Sequence, residues 1–141
     1  MVEGVSKVRV FVDGASRGNP GPAGIGVVIV SMDGRRLVEH GEYVGVATNN
    51  QAEYLSLIKA LELCHRLGVR EVKVFSDSEL LVKQLAGQYA VKNRKLKELY
   101  GRVKELEPLF RRVVYRHVPR EENSRADALA NQAINRALKG E

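Results

Sequence analysis

Two segments of the sequence carry the same alternating pattern, and both end in an aspartate. VRVFVD (residues 8–13) and KVFSD (residues 73–77) each place a basic residue, a phenylalanine and an aspartate at every second position. Alternate side chains of a strand point to one face, so Asp13 and Asp77 would each share a face with a phenylalanine. If the strands are parallel neighbours, both carboxylates emerge at the C-terminal edge of the sheet, where open α/β sheets bind ligands.

Two further acids, Glu53 and Asp127, lie near the starts of predicted helices, on the faces expected to pack against the sheet. Four carboxylates in one cleft would repel one another unless cations held them together. Hard divalent cations such as Mg²⁺ bind oxygen ligands of this kind. Two such ions about 4 Å apart can stabilise the attacking and leaving oxygens of a phosphodiester. The four acids therefore predict a site for two divalent cations that hydrolyses phosphodiesters.

Each of the four acids also has a structural interpretation, in which it stabilises a turn or the start of a helix. These alternatives are an Asx turn at Asp13–Gly14, a helix cap at Asp77, a capping box of Asn50 with Glu53, and a similar box of Ser124 with Asp127.

The periodicity predicts the elements that must bring these acids together. Strands are expected at residues 8–13, 23–30, 37–45, 72–76 and 111–118, and helices at residues 51–67, 78–86, 94–107 and 124–138. Short connections predict that the first three strands form an antiparallel meander. The alternation of helices and strands that follows predicts an α/β fold, with a mixed sheet covered by helices.

Composition and charge limit the classes of protein to which this chain could belong. We expect one domain over residues 1–141, with loose termini at residues 1–6 and 139–141. The formal net charge of +6 favours polyanionic partners. A single cysteine, Cys64, excludes an internal disulfide and fits a reducing cytoplasm. The N-terminal residues show no export signal, and no apolar run predicts a membrane span. We therefore expect a cytoplasmic protein, and we expect it to be monomeric.

Four motifs together resemble type 1 ribonuclease H: DGASRGNPGPAG, TNNQAE, FSDSELLVKQL and PREENSRADALA. The resemblance spans about Val8 to Leu138. It implies a ribonuclease H-like five-stranded mixed sheet, made of a three-strand antiparallel meander plus two parallel strands, with helices on both faces. It also implies an endonuclease that hydrolyses the RNA strand of RNA–DNA hybrids with Mg²⁺ or Mn²⁺ and gives 5′-phosphate products.

The resemblance also implies roles for individual residues. The family's metal-binding and catalytic acids fall on Asp13, Glu53, Asp77 and Asp127. Its substrate contacts fall on Ser16, Asn19, Thr48, Asn49 and Asn50. Small polar side chains suit contacts with phosphate and the 2′-hydroxyl. The structural alternatives are helix capping for the asparagines and a rigid turn for GNPGPAG.

The sequence departs from the family's pattern between the two central helices and in one substrate-contacting position. Where members often carry a long basic insertion that grips the hybrid, only GQYAVKNRK is present. Additional grip would then come from Lys92 and the basic residues beside it, whose structural alternative is a solvated face. Glu79 stands where a neutral amide often contacts the substrate.

A further departure concerns the general acid–base histidine, which in the family usually lies on a flexible loop before the last aspartate. His117 has a suitable separation from Asp127, but the context YRHVP places it within the last strand. If the sequence is aligned with the family by the last strand and by the Glu-Asn that precedes the last helix, the histidine loop is missing from this chain. Arg120 or Glu121 then lies near the position of that histidine. Two alternatives remain: a structural His117 with Arg120 stabilising phosphate charge, or a catalytic His117.

Two other functions are alternatives to hydrolysis of the hybrid. A non-catalytic module that binds hybrid or double-stranded RNA would be favoured by the loss of one acid, but all four are present. A phosphatase that uses Asp13 as its nucleophile would form an aspartyl-phosphate. Such a site would need a second aspartate two residues later, and that position is Ala15.

Overall fold

The computed structural model describes residues 5–140 and contains one five-stranded sheet. The strands are β1 (Lys7–Ser16), β2 (Gly21–Ser31), β3 (Arg36–Ala47), β4 (Glu71–Ser76) and β5 (Arg112–His117). The helices are α1 (Asn49–Arg66), α2 (Glu79–Leu85), α3 (Arg94–Leu106) and α4 (Ser124–Leu138). Two short 3₁₀ helices follow α3 and β5, at Glu107–Leu109 and Arg120–Asn123.

The strand order β3-β2-β1-β4-β5 confirms the predicted mixed sheet. β1, β2 and β3 pair antiparallel, whereas β1 pairs with β4, and β4 with β5, in parallel. The register places Phe11 opposite Phe75, so the two copies of the alternating pattern lie side by side as predicted.

The prediction that β1 ends at Asp13 was wrong. β1 continues to Ser16, which pairs with Ala23 of β2, whereas its parallel pairing with β4 stops at Phe11. Asp13–Gly14 is therefore an extended part of the strand, opposite Gly26 and Ile25, and not an Asx turn. Asp13 lies two residues beyond the last residue of β1 that pairs with β4, near Asp77, which directly follows β4.

Most of the core lies between the sheet and the helices α1 and α3. Val8, Val10 and Val12 of β1 are fully buried there with Leu57 and Leu61 of α1. Because these valines alternate with Arg9 and Asp13 and with a phenylalanine, β1 buries one face here and presents basic, aromatic and acidic side chains on the other.

Helix α4 packs on the opposite face of the sheet, at unusually short distance. A Cβ atom added at Gly24, Gly26 or Gly41 would lie 2.4, 2.0 or 2.7 Å from a backbone oxygen of α4. On the helix side, Ala126 and Ala130 are fully buried. Glycines of the strands and alanines of the helix therefore fix the distance between α4 and the sheet, and with it the position of Asp127.

The expectation of loose termini falls partly outside the described residues. Within them, Val5 packs against the main core and the carbonyl oxygen of Ser6 accepts hydrogen bonds from the backbone amides of Arg70 and Glu71. At the other end α4 finishes at Leu138, with Lys139 as its C-cap. No helix within residues 5–140 combines the length and apolar character that a bilayer-spanning segment requires.

We expect the thiol of Cys64 to be unreactive in the folded protein. Cys64 is fully buried in α1, and burial raises the pKa of its thiol from 9.0 to about 12. Because the thiolate is the reactive form, Ellman's reagent at about pH 8 should label the native protein far more slowly than the denatured one. Equal labelling rates for the two states would contradict this burial.

Candidate active site

Three acids from three different elements converge at the C-terminal edge of the parallel strands. Carboxylate oxygens of Asp13, Glu53 and Asp77 lie within 4.8 Å of one another. Asp127 lines the same open cleft, which has a volume of about 480 Å³. The structure therefore brings together all four acids that the sequence singled out, with Asp127 at the α4 side of the group.

Glu53 reaches this position because α1 begins almost in contact with β1. A Cβ atom added at Gly14 would lie 2.2 Å from the carbonyl carbon of Ala52 and 2.4 Å from the backbone nitrogen of Glu53. Only glycine allows such an approach, since any side chain at this position would overlap the first turn of the helix. The residue after Asp13 therefore fixes how close Glu53 comes to the strand-borne acids.

The capping alternative for Glu53 was wrong. The N-cap of α1 is Thr48, whose Oγ1 accepts a hydrogen bond from the backbone amide of Gln51 at 3.1 Å. Gln51 completes the capping box, since its Oε1 accepts from the Thr48 amide at 2.9 Å. Asn50, the predicted cap, is instead the second residue of the helix. Glu53 is thus not needed to start α1.

The capping alternatives for the other acids were also wrong. Ser78 is the N-cap of α2 and accepts from the Leu81 amide at 3.2 Å, so Asp77 precedes the cap. The N-cap of α4 is Asn123, and no side-chain hydrogen bond caps that helix, so Ser124 and Asp127 form no capping box. None of these acids is therefore used to cap a helix.

Burial and mutual repulsion disfavour the charged forms of the central acids. Asp13 is only 5% exposed, and burial together with the charge of Asp77 raises its pKa from 3.8 to about 8. Burial and the charges of Asp13 and Asp77 likewise hold the pKa of Glu53 well above its usual value. Such shifts are expected where carboxylates share a poorly solvated site without a counter-ion.

The same residues meet the requirements of a hard divalent cation. The Oε2 atom of Glu53 is buried and has no hydrogen-bond partner within the described residues. A buried acceptor without a partner is costly, and a bound cation would satisfy it. The ligands are carboxylate oxygens, which suit Mg²⁺ or Mn²⁺ better than metals that prefer sulfur or nitrogen. The donor set therefore fits the cations that the sequence predicted.

In the absence of metal we expect Asp13→Asn to stabilise the protein at alkaline pH. An acid whose folded-state pKa is raised stabilises the fold only while protonated, so this contribution is lost as the pH rises from about 4 towards about 8. The amide avoids that loss, which we expect to be worth about 1–3 kcal/mol at about pH 9.

Urea unfolding in EDTA, at about pH 6 and about pH 9, measures this difference. Asp33→Asn is the control, because Asp33 is an exposed acid in the β2–β3 turn. It should keep the pH dependence of the wild type across this range. An Asp13→Asn variant that loses as much stability as the wild type between the two pH values would contradict the raised pKa.

Sequence reasoning missed Asn131, which also lines the cleft. Its Nδ2 donates to the backbone oxygen of Asp127 at 3.0 Å and to Oδ1 of Asp127 at 3.2 Å. Nη2 of Arg17 in turn lies 3.3 Å from both the backbone oxygen and Oδ1 of Asn131. The spacing of four residues, which puts Asp127 and Asn131 on one helix face, was the available signal.

The predicted substrate contacts Ser16, Asn19 and Asn49 form one hydrogen-bonded junction at the rim of the cleft. The Ser16 amide donates to Oδ1 of Asn49 at 3.0 Å, and the Asn49 amide donates to Oδ1 of Asn19 at 3.1 Å. Thr48 serves as the helix cap, and Asn50 is exposed beside it. The asparagines thus hold the β1–β2 connection against α1, and Ser16 and Asn49 line the cleft.

The remaining predicted residues divide between the cleft and the outer surface. Arg120, in the 3₁₀ helix after β5, lines the cleft. His117 is the last residue of β5 and exposed, opposite Ser76, and does not line the cleft. Glu79 pairs with Lys83 at 2.6 Å at the start of α2, and Lys92 is exposed between α2 and α3.

Comparison with known proteins gives consistent matches. A family model described as "Reverse transcriptase-like" matches residues 11–133. The chain is 47% identical over 131 residues to ribonuclease HI of Halobacterium salinarum, covering 93% of this chain and 66% of that protein. It is 32% identical over 145 residues to ribonuclease HI of Caulobacter vibrioides, covering 93% of this chain and 95% of that protein.

Among solved structures, the fold superposes with a TM-score of 0.89 on LC11-RNase H1, which was crystallised in complex with an RNA/DNA hybrid. That match is 46% identical and covers 93% of this chain and 99% of the other. The chain spans about two thirds of the length of the Halobacterium relative, and 36% of three mycobacterial relatives that are 46% identical to it.

Proposed function

This chain belongs to the type 1 ribonuclease H family, and from that premise we propose that it hydrolyses the RNA strand of RNA–DNA hybrids. The convergence of the four acids carries the proposal, because phosphodiester hydrolysis by divalent cations needs clustered oxygen ligands at an open cleft. The likeness to a structure that holds an RNA/DNA hybrid supports the hybrid as the substrate.

We assign Asp13, Glu53, Asp77 and Asp127 to cation binding. When bound, two Mg²⁺ or Mn²⁺ ions supply charge neutralisation and stabilise the attacking and leaving oxygens of the phosphodiester. The protein's own contribution is to hold the carboxylates in place before substrate arrives, through the short β1–α1 distance at Gly14 and the hydrogen bonds of Asn131 to Asp127.

The rim of the cleft supplies the contacts that select RNA. Ser16 and Asn49 lie beside the acids. The side-chain amide of Asn49 can donate to phosphate oxygens, and the Ser16 hydroxyl, whose proton is donated to backbone oxygens such as that of Ala47, can accept from a 2′-hydroxyl. Arg120 places a permanently charged guanidinium at the other side of the same cleft. We therefore assign Arg120 to stabilising charge on the scissile phosphate, and Ser16 and Asn49 to holding the strand.

Cleavage of strand-labelled duplexes tests the proposal. With Mg²⁺ or Mn²⁺, the RNA strand of a hybrid should be cut to 5′-phosphate products, while its DNA strand and a DNA duplex stay intact. An RNA duplex of the same sequence measures whether double-stranded RNA is also a substrate. Cleavage that persists at full rate in EDTA, or that cuts the DNA strand, would refute the proposal.

We expect Arg120→Ala to impair cleavage more than His117→Ala. Loss of a phosphate-contacting cation should lower kcat/KM by about 10- to 100-fold. His117 lies at the strand end outside the cleft, so its removal should change kcat/KM by less than about threefold. Steady-state kinetics on the labelled hybrid compare the two variants. A silent Arg120→Ala combined with a strongly impaired His117→Ala would reverse the assignment.

A further inference from the structure

The face of the sheet that carries α4 is only partly covered. Helix α4 packs on β1, β2 and β3. The register places side chains of β4 and β5 on the same face, beyond the helix. Five basic residues lie on this uncovered part, which we call the cationic sheet face: Lys7 and Arg9 of β1, Lys73 of β4, and Arg112 and Arg116 of β5.

These five cations have no acidic partners of their own. Within residues 5–140, none of them has a carboxylate oxygen within 4.0 Å, whereas seven basic side chains elsewhere do. Glu71 is the acid on this face. The Nε atom of Arg9 is buried and lacks a hydrogen-bond partner. The five cations outnumber this acid, so much of the net charge of +6 is concentrated on this face.

The spacing of the cations suits a chain of phosphates better than a single anion. Neighbouring strands are about 4.8 Å apart and alternate residues about 6.6 Å apart, so the backbone positions of neighbouring cations are about 5–8 Å apart. From Arg112 to Arg116 the array extends about 13 Å. A nucleic-acid strand presents a phosphate about every 3.4 Å along the helix axis and can engage several cations together.

The array is also separate from the catalytic cleft. The stacked rings of Phe11 and Phe75, whose centroids are 5.0 Å apart, lie between the β1 and β4 cations of the array and the acids that follow them in the cleft. Lys7 precedes Asp13 by six strand residues, a distance of about 20 Å. A phosphate bound at the far end of the array is therefore not the one being cleaved.

We propose that the cationic sheet face is a second nucleic-acid contact, which binds the phosphate backbone of a duplex segment outside the cleft. The proposal rests on the proposed function, because the duplex that contacts this face would be part of the nucleic acid that is cleaved in the cleft. It supplies the additional grip for which the short GQYAVKNRK connection offers few residues. Because backbone contacts carry no sequence information, this face should bind duplex DNA as well as hybrid.

Neutralisation of the exposed cations tests the proposal. The test variant carries Lys7→Gln, Lys73→Gln, Arg112→Gln and Arg116→Gln, and the control carries Arg66→Gln, Arg102→Gln, Arg136→Gln and Lys139→Gln. Both lose four charges, but the control residues lie elsewhere on the surface. Binding to a DNA duplex of about 20 base pairs is followed by fluorescence anisotropy over a range of salt concentrations.

The test variant should reduce the salt slope of log K by about three, and lower the affinity at least tenfold near 0.1 M salt, as expected from about four lost phosphate contacts. The control should reduce the slope by less than about one. Equal losses in both variants would show that only net charge matters and would overturn the proposal. Equal competition by a polyglutamate peptide of matched charge would overturn it too, in favour of an acidic protein partner.

Two measurements keep the result interpretable. Backbone amide shifts of β4 and β5 in the wild type, on addition of duplex DNA, report contact without relying on a variant that must fold; unchanged shifts would overturn the proposal. Cleavage of a short hybrid distinguishes failure of the second contact from failure of the proposed function. The test variant should cleave this hybrid with the kcat of the wild type. Absence of cleavage by the wild type itself would refute the proposed function and leave the DNA-binding result standing.

Discussion

Asp13→Asn is expected to abolish cleavage of the RNA strand, with kcat lower by about three orders of magnitude or more. The amide has nearly the volume of the carboxylate, so the buried site at the separation of β1 and β4 should keep its shape. It removes one negative charge and one good oxygen ligand from a cluster whose oxygens lie within 4.8 Å. Cation binding should weaken accordingly.

Asp33→Asn is the matched control, since it makes the same chemical change at an exposed position in the β2–β3 turn. Its kcat on the strand-labelled hybrid should equal that of the wild type. Asp13→Asn should still bind the hybrid, because the basic surface is unchanged. Full activity of Asp13→Asn in Mg²⁺ would sink the assignment of this acid, and with it the proposed mechanism.

Gly14→Ala should strongly destabilise the fold. The added Cβ would lie 2.2 Å from the carbonyl carbon of Ala52, and the opposing atoms are helix backbone that cannot rotate away. Either β1 or the first turn of α1 must shift, and we expect a loss on the order of 3 kcal/mol in the free energy of unfolding. Urea unfolding measures this directly.

Gly101→Ala is the control for this change, because the same substitution should there increase the stability of the protein. Gly101 lies within α3, and a Cβ added there meets nothing within 4 Å. Because alanine is the better helix former, this variant should gain about 0.5–1 kcal/mol. A Gly14→Ala variant as stable as the wild type would show that α1 does not press on β1 as the structure has it.

Gly14→Ala should also lower activity under conditions where it remains folded. Any shift of the first turn of α1 moves Glu53 relative to Asp13, and a displacement of about 1 Å in a catalytic group can cost about 100-fold in rate. The metal concentration for half-maximal activity should rise in parallel. Unchanged metal dependence in the folded variant would separate the packing role of Gly14 from the positioning of Glu53.

The sequence predicted the sheet and the acids because both depend on local patterns. A basic residue, a phenylalanine and an aspartate at alternate positions of β1, and the copy of that pattern at residues 73–77, indicated two strands whose aspartates share an edge. The order β3-β2-β1-β4-β5 agrees with this prediction. The bounds of α4, Ser124–Leu138, were also obtained from periodicity and flanking residues alone.

Local patterns could not decide which residues cap the helices. Asn50 with Glu53, and Ser124 with Asp127, have the spacing of a capping box. The structure starts α1 two residues earlier, with Thr48 and Gln51 forming the box, and leaves α4 without a side-chain cap. A shift of one or two residues at a helix start is nearly neutral for propensity, so tertiary contacts choose among the available caps.

The sequence by itself therefore determined which acids are available and at which strand and helix ends they stand. The tertiary structure alone decided how closely they meet, because that distance depends on backbone contacts between elements remote in sequence, such as Gly14 with Ala52 and Gly26 with Ala126. It likewise decided that Arg120, and not His117, lines the cleft. Close packing of backbone on backbone is fixed by the whole fold, and no single segment encodes it.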